Sequence, residues 1–100
     1  MIRHTVVFKI NHAAGSESEL DLIRAAQKLA TDIPVVKNFE ALRQTSKKNN
    51  YDFGLSMEFA SEEDYQTYNE HLLHVQFVET RWIPEVADFI EIDYKPYTEA

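Results

Sequence analysis

Cysteine, glycine, proline and basic residues are scarce in this chain of 100 residues. It has no cysteine, two glycines and three prolines, and its ten Lys and Arg residues are outnumbered by seventeen Asp and Glu residues, for a formal net charge of −7. Without cysteine, there is neither a disulfide framework nor a thiolate that could act as nucleophile or metal ligand. An acidic chain repels phosphate groups and anionic lipids, so neither nucleic acid nor a membrane is an expected partner.

Long hydrophobic runs are also absent. Nowhere do about 18 apolar residues follow one another, and the opening MIRHTVVFKI lacks the apolar core and cleavage site of a signal peptide. We therefore expect a cytoplasmic protein. A second hydrophobic core would need about another hundred residues, and no linker interrupts the pattern, so residues 1–100 are expected to form one domain. A core of this size is thin, which favours self-association.

Alternation of apolar and polar residues predicts four strands. The first is IRHTVVFKI at 2–10, where one side carries Ile2, His4, Val6, Phe8 and Ile10. VVKNFEALRQT at 35–45 and YDFGLSMEFA at 51–60 resemble an antiparallel hairpin joined by the polar loop SKKNN. ADFIEIDYKPY at 87–97 is the fourth strand, and its pattern places Ile90, Ile92 and Tyr94 on one face.

Two segments have helical spacing. AGSESELDLIRAAQKLATDIP contains Ser16 and Glu19 at the spacing of a capping box, ends at Pro34, and has apolar residues at helical intervals: Leu20, Ile23, Ala26, Ala30 and Ile33. SEEDYQTYNEHLL begins with Ser61 as N-cap, and acidic residues in its first turn favour the positive end of the helix dipole. HVQFVETRWIPEV is expected to be a shorter helical or irregular piece that Pro84 interrupts.

The resulting order, β-α-β-β-α-β, predicts an α+β, ferredoxin-like fold with a four-stranded antiparallel sheet and both helices on one side. The other side of the sheet would stay open to a partner sheet. Alternation alone assigns to this open side Thr5, Val7, Gly54, Ser56, Glu58, Phe89, Glu91 and Asp93.

Three stretches resemble the stress-responsive A/B barrel (Dabb) family: RHTVVFKI, YDFGLSMEFASEEDYQTYNEHLLHVQFV and FIEIDY. The most specific features are the spacing of Tyr68, His71 and His74, the histidine of the first strand, His4, and the closing Asp93 and Tyr94. The resemblance implies a homodimer in which two sheets form a dimeric α+β barrel, with a cavity between sheet and helices in each subunit. It does not fix one activity.

The inward positions of the sheet and of the second helix predict a mainly apolar, aromatic-lined cavity, which is the usual composition of a small-molecule site. His71 and His74 are three residues apart, so on one continuous helix their rings would share a face. We expect the second helix to turn Tyr65, Tyr68, Leu72 and Val75 toward the sheet, with Tyr65 as plain core. The predicted lining is His4, Val6, Phe8, Phe53, Leu55, Met57, His71, Leu72 and Phe77.

One functional hypothesis is acid–base chemistry on a carbonyl compound without a cofactor, with His74 as base and Tyr68 as the group that polarises the substrate oxygen. Imidazole titrates near neutral pH, so it can accept a proton without extensive tuning. Members of the family that resemble polyketide cyclases have a Tyr–His pair matching these two positions. Those members tend to have His-Pro-x-His, whereas this chain has HLLH with Leu72 in place of the proline.

Three other hypotheses stay open. A dimer could bind a small apolar or aromatic ligand without catalysis. His71 and His74 could bind a metal with help from Glu58 or Glu70, but two imidazoles are only half of a zinc site, so no metal is predicted. Related folds include cofactor-free monooxygenases, which keeps oxidation of an aromatic compound as a further alternative.

Overall fold

The computed structural model describes residues 1–98, and it has the predicted order of elements. The strands are β1 (Ile2–Ile10), β2 (Lys37–Arg43), β3 (Phe53–Phe59) and β4 (Val86–Tyr94). The helices are α1 (Glu17–Asp32), α2 (Glu62–Glu70), α3 (Leu72–Phe77) and the short α4 (Ile83–Glu85), with a π-helical segment (Val78–Trp82) between the last two. Within the described residues, no helix combines the length and hydrophobicity needed to cross a membrane.

All strand pairs are antiparallel, and the strand order in the sheet is β2-β3-β1-β4. The α+β, ferredoxin-like prediction is therefore confirmed. The core lies on the helix side of the sheet, because alternate residues of β1 and β3 are buried there. Its largest fully buried side chains are Phe8, Leu22, Ile33 and Phe59.

Helix α1 begins where its capping residues predict, but the stripe of residues that it buries differs from the predicted one. The Ser16 hydroxyl accepts from the backbone N–H of Glu19 at 3.2 Å, and the Glu19 carboxylate accepts from the backbone N–H of Gly15 at 3.1 Å. Leu20, expected in the core, is 46% exposed, whereas Leu22 is 2% exposed. The buried stripe follows 22, 26, 29 and 33, and residue 20 lies on the far side of the helix from it.

The assignment of β4 side chains to the two sides of the sheet was wrong. The register pairs His4 with Asp93, Val6 with Glu91 and Phe8 with Phe89. Directly opposite residues in a ladder share one side of a sheet, so the odd-numbered β4 residues lie on the helix side with the buried residues of β1. Alternation separates the two sides of a strand, but only its pairing partner determines which side meets the helices.

The open face of the sheet is consequently more apolar than expected. Its β4 members pair with Val7, Thr5 and Arg3, and they retain large exposed fractions, 46% for Ile90, 40% for Ile92 and 52% for Tyr94. Leu42 of β2 belongs to the same face, because it pairs with Gly54, which in turn pairs with Val7. We use "open face" below for Val7, Leu42, Ile90, Ile92 and Tyr94.

Candidate active site

A cavity of about 140 Å³ lies between the helix side of the sheet and the chain from α2 to the π-helical segment. Aliphatic and aromatic side chains form most of its wall, and two imidazoles, one phenol and one carboxylate complete it. The lining consists of His4, Val6, Leu55, Met57, Tyr68, His74, Phe77, Val78, Trp82, Phe89 and Glu91. It is therefore an apolar chamber with a small number of polar groups, as expected of a site for a small organic molecule.

A hydrogen-bond network surrounds His4, which is buried, with only 7% of its surface exposed. Its Nδ1 lies 2.6 Å from Oδ1 of Asp93 on the neighbouring strand. The hydroxyl of Tyr65, from α2, lies 2.9 Å from the same nitrogen and donates to Oδ2 of Asp93 at 2.9 Å. A carboxylate can only accept, so Nδ1 of His4 carries the proton that faces Asp93. The network thus orients the imidazole from three separate elements.

Tyr65 has a polar role in addition to the core packing that the sequence predicted. Its ring stacks on Phe59 with centroids 5.0 Å apart, while its hydroxyl joins the His4 network. Burial is the largest cause that raises the pKa of this phenol, and the hydrogen bond to Asp93 adds to it. The hydroxyl therefore stays protonated and acts as a donor throughout the neutral pH range.

Tyr68 and His74 are adjacent at the cavity wall. Their ring centroids are 4.3 Å apart, and Tyr68 also contacts Phe59 and His4, with centroids at 5.2 and 6.3 Å. Burial raises the pKa of Tyr68, with a smaller contribution from Glu91. The phenol is therefore a neutral hydrogen-bond donor. No buried polar side-chain atom in residues 1–98 lacks a partner, so the Tyr68 hydroxyl is not sealed in an apolar wall.

The protonation of His74 is set by its backbone contact and by burial. Its Nδ1 lies 3.1 Å from the carbonyl oxygen of Asn69, which can only accept, so Nδ1 carries the proton and Nε2 has the free lone pair. Burial is the main cause that lowers the pKa of His74. The ring is accordingly a neutral imidazole at pH 7 with an unprotonated nitrogen, which is the form of a general base.

The helix that was expected to continue through residue 73 ends at Glu70. His71 has an extended backbone, with φ −61° and ψ 135°, and its Nδ1 accepts from the backbone N–H of Leu73 at 3.1 Å. It therefore caps α3 and does not share a helical face with His74. Leu72 occupies the first position of α3, the position that proline favours in helices, so the break forms here without a proline.

Seven of the residues singled out from the sequence do line this cavity: His4, Val6, Leu55, Met57, Tyr68, His74 and Phe77. Four others lie elsewhere. Phe8 and Phe53 pack against each other in the core, with ring centroids 5.6 Å apart. His71 caps α3, and Leu72 is 65% exposed because the helix break turns it away from the sheet. Val75, expected to face inward, is 38% exposed for the same reason.

Sequence reasoning missed four lining residues: Val78, Trp82, Phe89 and Glu91. The strand residues Phe89 and Glu91 were assigned to the wrong side of the sheet. The pairing of β4 with β1 would have identified them, because Phe89 lies opposite Phe8 and Glu91 lies opposite Val6. Val78 and Trp82 belong to the π-helical segment, which no residue pattern in that stretch distinguishes from an irregular loop.

The proposed metal ligands do not come together. Glu58 pairs with Arg3 across the sheet and lies on the side away from the helices, and His71 caps α3. Within residues 1–98, no three His, Cys, Asp or Glu side chains are arranged to hold a metal ion.

A larger hollow of about 490 Å³ lies outside this site, beside the start of α1. It is open, and ion pairs occupy part of its wall: His12 bonds to Glu85 at 2.6 Å, and Asp21 accepts from Arg81 at 2.7 Å. These contacts form a surface ion-pair network that ties α4 to the loop after β1 and the π-helical segment to α1. The smaller cavity has both the enclosure and the reactive groups, so we take it as the candidate active site.

The sheet order, the helices on one side and the enclosed cavity define an α+β protein of ferredoxin-like fold. Residues 2–96 match the stress-responsive A/B barrel domain, and the chain belongs to that family. No curated protein matches the chain.

Solved structures agree with this assignment. A Dabb family protein with a ferredoxin-like fold from Mesorhizobium loti is 50% identical, covers 97% of each chain and superposes with a TM-score of 0.95. A dimeric ferredoxin-like protein from Thermobifida fusca is 26% identical over 93% of this chain and 88% of its own, with a TM-score of 0.76. A hydroxynitrile lyase from Passiflora edulis is 13% identical over 99% and 96% of the two chains, with a TM-score of 0.85, which is a likeness of fold alone.

Proposed function

We propose that the protein is a homodimer whose cavity binds a small, mainly apolar carbonyl compound and performs acid–base chemistry on it without a cofactor. The observation that carries this proposal is that His4, Tyr68 and His74 all line one cavity. These groups come from β1, α2 and α3, and each has a hydrogen-bonding state suited to proton transfer.

His74 is the proposed base and Tyr68 the proposed oxyanion donor. The free Nε2 of His74 takes a proton from the carbon next to the carbonyl group. The C–H electron pair moves into the new carbon–carbon double bond, and the carbonyl oxygen gains the negative charge. The Tyr68 hydroxyl donates a hydrogen bond to that oxygen, in an apolar chamber where such a bond is stronger than in water. The imidazolium then returns the proton to the product.

The contact between Tyr68 and His74 supports this division of roles. With ring centroids 4.3 Å apart, both reach the same part of a bound molecule. Burial keeps the phenol protonated and the imidazole neutral, so the donor and the base are in the required states at the same pH.

The open face supports the homodimer. Ile90, Ile92 and Tyr94 expose large apolar surfaces next to Val7 on the side of the sheet away from the helices. A contiguous apolar surface on a sheet is suited to contact with a second sheet. The similar protein from Thermobifida fusca is a dimer, which supports a dimer of this chain.

The test is a pair of conservative variants, measured with a carbonyl substrate found by screening. Tyr68→Phe keeps the ring and removes the hydroxyl, and His74→Gln keeps polarity and removes the base. Each should remain folded and lose roughly 10²-fold or more of the turnover, the usual scale of a lost acid or base. Tyr51→Phe and His12→Gln make the same changes outside the cavity and should leave turnover within a few-fold of the starting protein.

The predominantly apolar lining favours a second function, in which the same cavity binds its ligand without catalysis. Tyr68→Phe and His74→Gln would then change only ligand affinity or melting temperature. Turnover that stays within a few-fold in both variants would remove this pair from any mechanism.

A further inference from the structure

The cavity presents both hydrogen-bond donors and acceptors to a ligand. Five of its lining side chains carry such groups: His4, Tyr68, His74, Trp82 and Glu91. Which of them accept and which donate follows from the contacts that they make outside the cavity.

Both imidazoles use their proton outside the cavity. Nδ1 of His4 donates to Asp93 at 2.6 Å, and Nδ1 of His74 donates to the Asn69 carbonyl oxygen at 3.1 Å. Neither Asp93 nor Asn69 belongs to the cavity lining. The His74 ring is neutral with its proton on Nδ1, so its Nε2 is an acceptor. The opposite edge of the His74 ring therefore offers a lone pair to the cavity.

Glu91 adds another acceptor, because a carboxylate accepts hydrogen bonds. The β4 register places it opposite Val6, between the aromatic end at Phe89 and the polar end at His4. Tyr68 and the indole N–H of Trp82 are then the donors of the lining. The side chains from residues 1–98 that line the cavity include neither Lys nor Arg, so they offer no cation to balance an anionic ligand.

The volume limits the size of the ligand. A cavity of about 150 Å³ lined by apolar side chains accommodates benzene, and this one measures about 140 Å³. Trp82, Phe77 and Phe89 supply aromatic surface around that space. A single six-membered ring with small substituents fits both the volume and the lining.

We propose that the cavity selects single-ring, uncharged molecules that carry a hydroxyl donor, and that Glu91 both receives this donor and repels carboxylates. The proposal rests on the proposed function, since it concerns the same site, and it specifies the substrate class. A hydroxyl on the ligand meets an acceptor, Glu91 or His74, and a carbonyl oxygen meets a donor, Tyr68 or Trp82. An anion would be placed near the Glu91 carboxylate with no lining cation to balance it, which is unfavourable.

Equilibrium binding of four probes tests this without turnover. Benzyl alcohol and anisole are isomers of equal size, of which only the alcohol has a donor; benzamide and benzoate differ in charge. Chemical-shift titration at about pH 8 should show the alcohol binding roughly tenfold more tightly than anisole, the lower end of the scale for a hydrogen bond to a charged group. Benzamide should bind, and benzoate should bind at least tenfold more weakly.

Two variants assign the selection to Glu91. Glu91→Leu should reduce the preference for benzyl alcohol over anisole, and Glu91→Gln should reduce the discrimination against benzoate. Glu63→Gln removes one negative charge from an exposed position of α2 and should leave all four affinities unchanged. It therefore separates a local effect of Glu91 from a change in net charge.

Several outcomes would overturn the proposal. Anisole binding as tightly as benzyl alcohol, benzoate binding as tightly as benzamide, or either preference surviving the matching Glu91 substitution would contradict the assigned role. No binding of any probe up to its solubility would contradict the size assignment. None of these results bears on whether Tyr68 and His74 catalyse a reaction, since that depends on turnover in their own variants.

Discussion

Removing the carboxylate of Asp93 is the most direct test of the network that holds His4. Asp93→Ala deletes both acceptors, Oδ1 at 2.6 Å from Nδ1 of His4 and Oδ2 at 2.9 Å from the Tyr65 hydroxyl. The backbone pairing of residue 93 with His4 does not depend on the side chain. The change therefore acts on the orientation and proton of a buried imidazole while the strand stays in place.

The expected loss of stability follows from the burial of the two partners. A hydrogen bond to a charged group contributes about 1.5–3 kcal/mol. The Asp93 side chain is 41% exposed, so solvent already weakens the interaction, and the Tyr65 oxygen remains 2.9 Å from Nδ1 as an alternative acceptor. We therefore expect a loss near or somewhat below the lower end of that range, about 1–2 kcal/mol. For a domain of this size, that corresponds to a decrease in melting temperature of about 4–15 °C.

The control lies on the same strand. Asp88 accepts from the Tyr51 hydroxyl at 3.2 Å near the surface, so Asp88→Ala should change the free energy of unfolding by no more than about 0.5 kcal/mol. Urea unfolding of both variants at one protein concentration gives the comparison. The chemical shifts of the two His4 ring nitrogens should also show that, in part of the molecules, the proton has moved from Nδ1 to Nε2. Equal stability of the two variants, or an unchanged His4 tautomer in Asp93→Ala, would refute the reasoning.

The open face, the His74 ring and metal dependence provide three further tests. Light scattering at micromolar concentration should give twice the 11.7 kDa mass of the chain. Ile92→Lys, which places a charge on the open face, should give the mass of the monomer. A monomeric starting protein would contradict the sheet-to-sheet dimer. Burial lowers the pKa of His74 in the folded protein below the value of about 6.5 that the ring has in the unfolded chain. Between these two values the unfolded chain binds more protons, so stability should fall as the pH falls through the folded pKa. Urea unfolding at several pH values should show a flatter dependence in His74→Gln, and identical curves would contradict this. A chelator should leave the melting temperature unchanged. A decrease in melting temperature that zinc reverses would instead identify His71 and His74 as metal ligands.

Much of the fold is readable from alternation and capping residues, because both are local properties. The pattern from Ile2 to Ile10 predicts β1 with its observed bounds, and Ser16 and Ser61 predict the starts of α1 and α2. His4, Tyr68 and His74 could also be selected as cavity residues. For His4 and Tyr68 the inward side of the segment is clear from neighbouring residues, whereas His74 was selected through the resemblance to the Dabb family, because the helical spacing around it also placed Leu72 and Val75 inward.

What the sequence did not predict depends on contacts between distant segments. Which side of β4 meets the helices is decided by its register with β1, about 85 residues away, and no property of FIEIDY alone contains that information. No proline or glycine marks the helix break at His71. The break is stabilised by a hydrogen bond from the backbone N–H of Leu73 to the ring nitrogen Nδ1 of His71. The polar role of Tyr65 likewise appears only when β1, β4 and α2 are brought together.

Strand β4 links the proposed assembly to the proposed chemistry. Its odd-numbered residues Glu91 and Asp93 serve the cavity and the His4 network, while the even-numbered Ile90 and Ile92 belong to the open face. It is also an edge strand, and among the strands of residues 1–98 it is hydrogen-bonded only to β1. An edge strand with exposed apolar residues gains support when a second sheet covers it, because that burial opposes local separation of the strand. Dimer formation would thus stabilise the strand that supplies the cavity carboxylate and the acceptor for His4, and this gives a physical reason for the site and the open face to occur on one element.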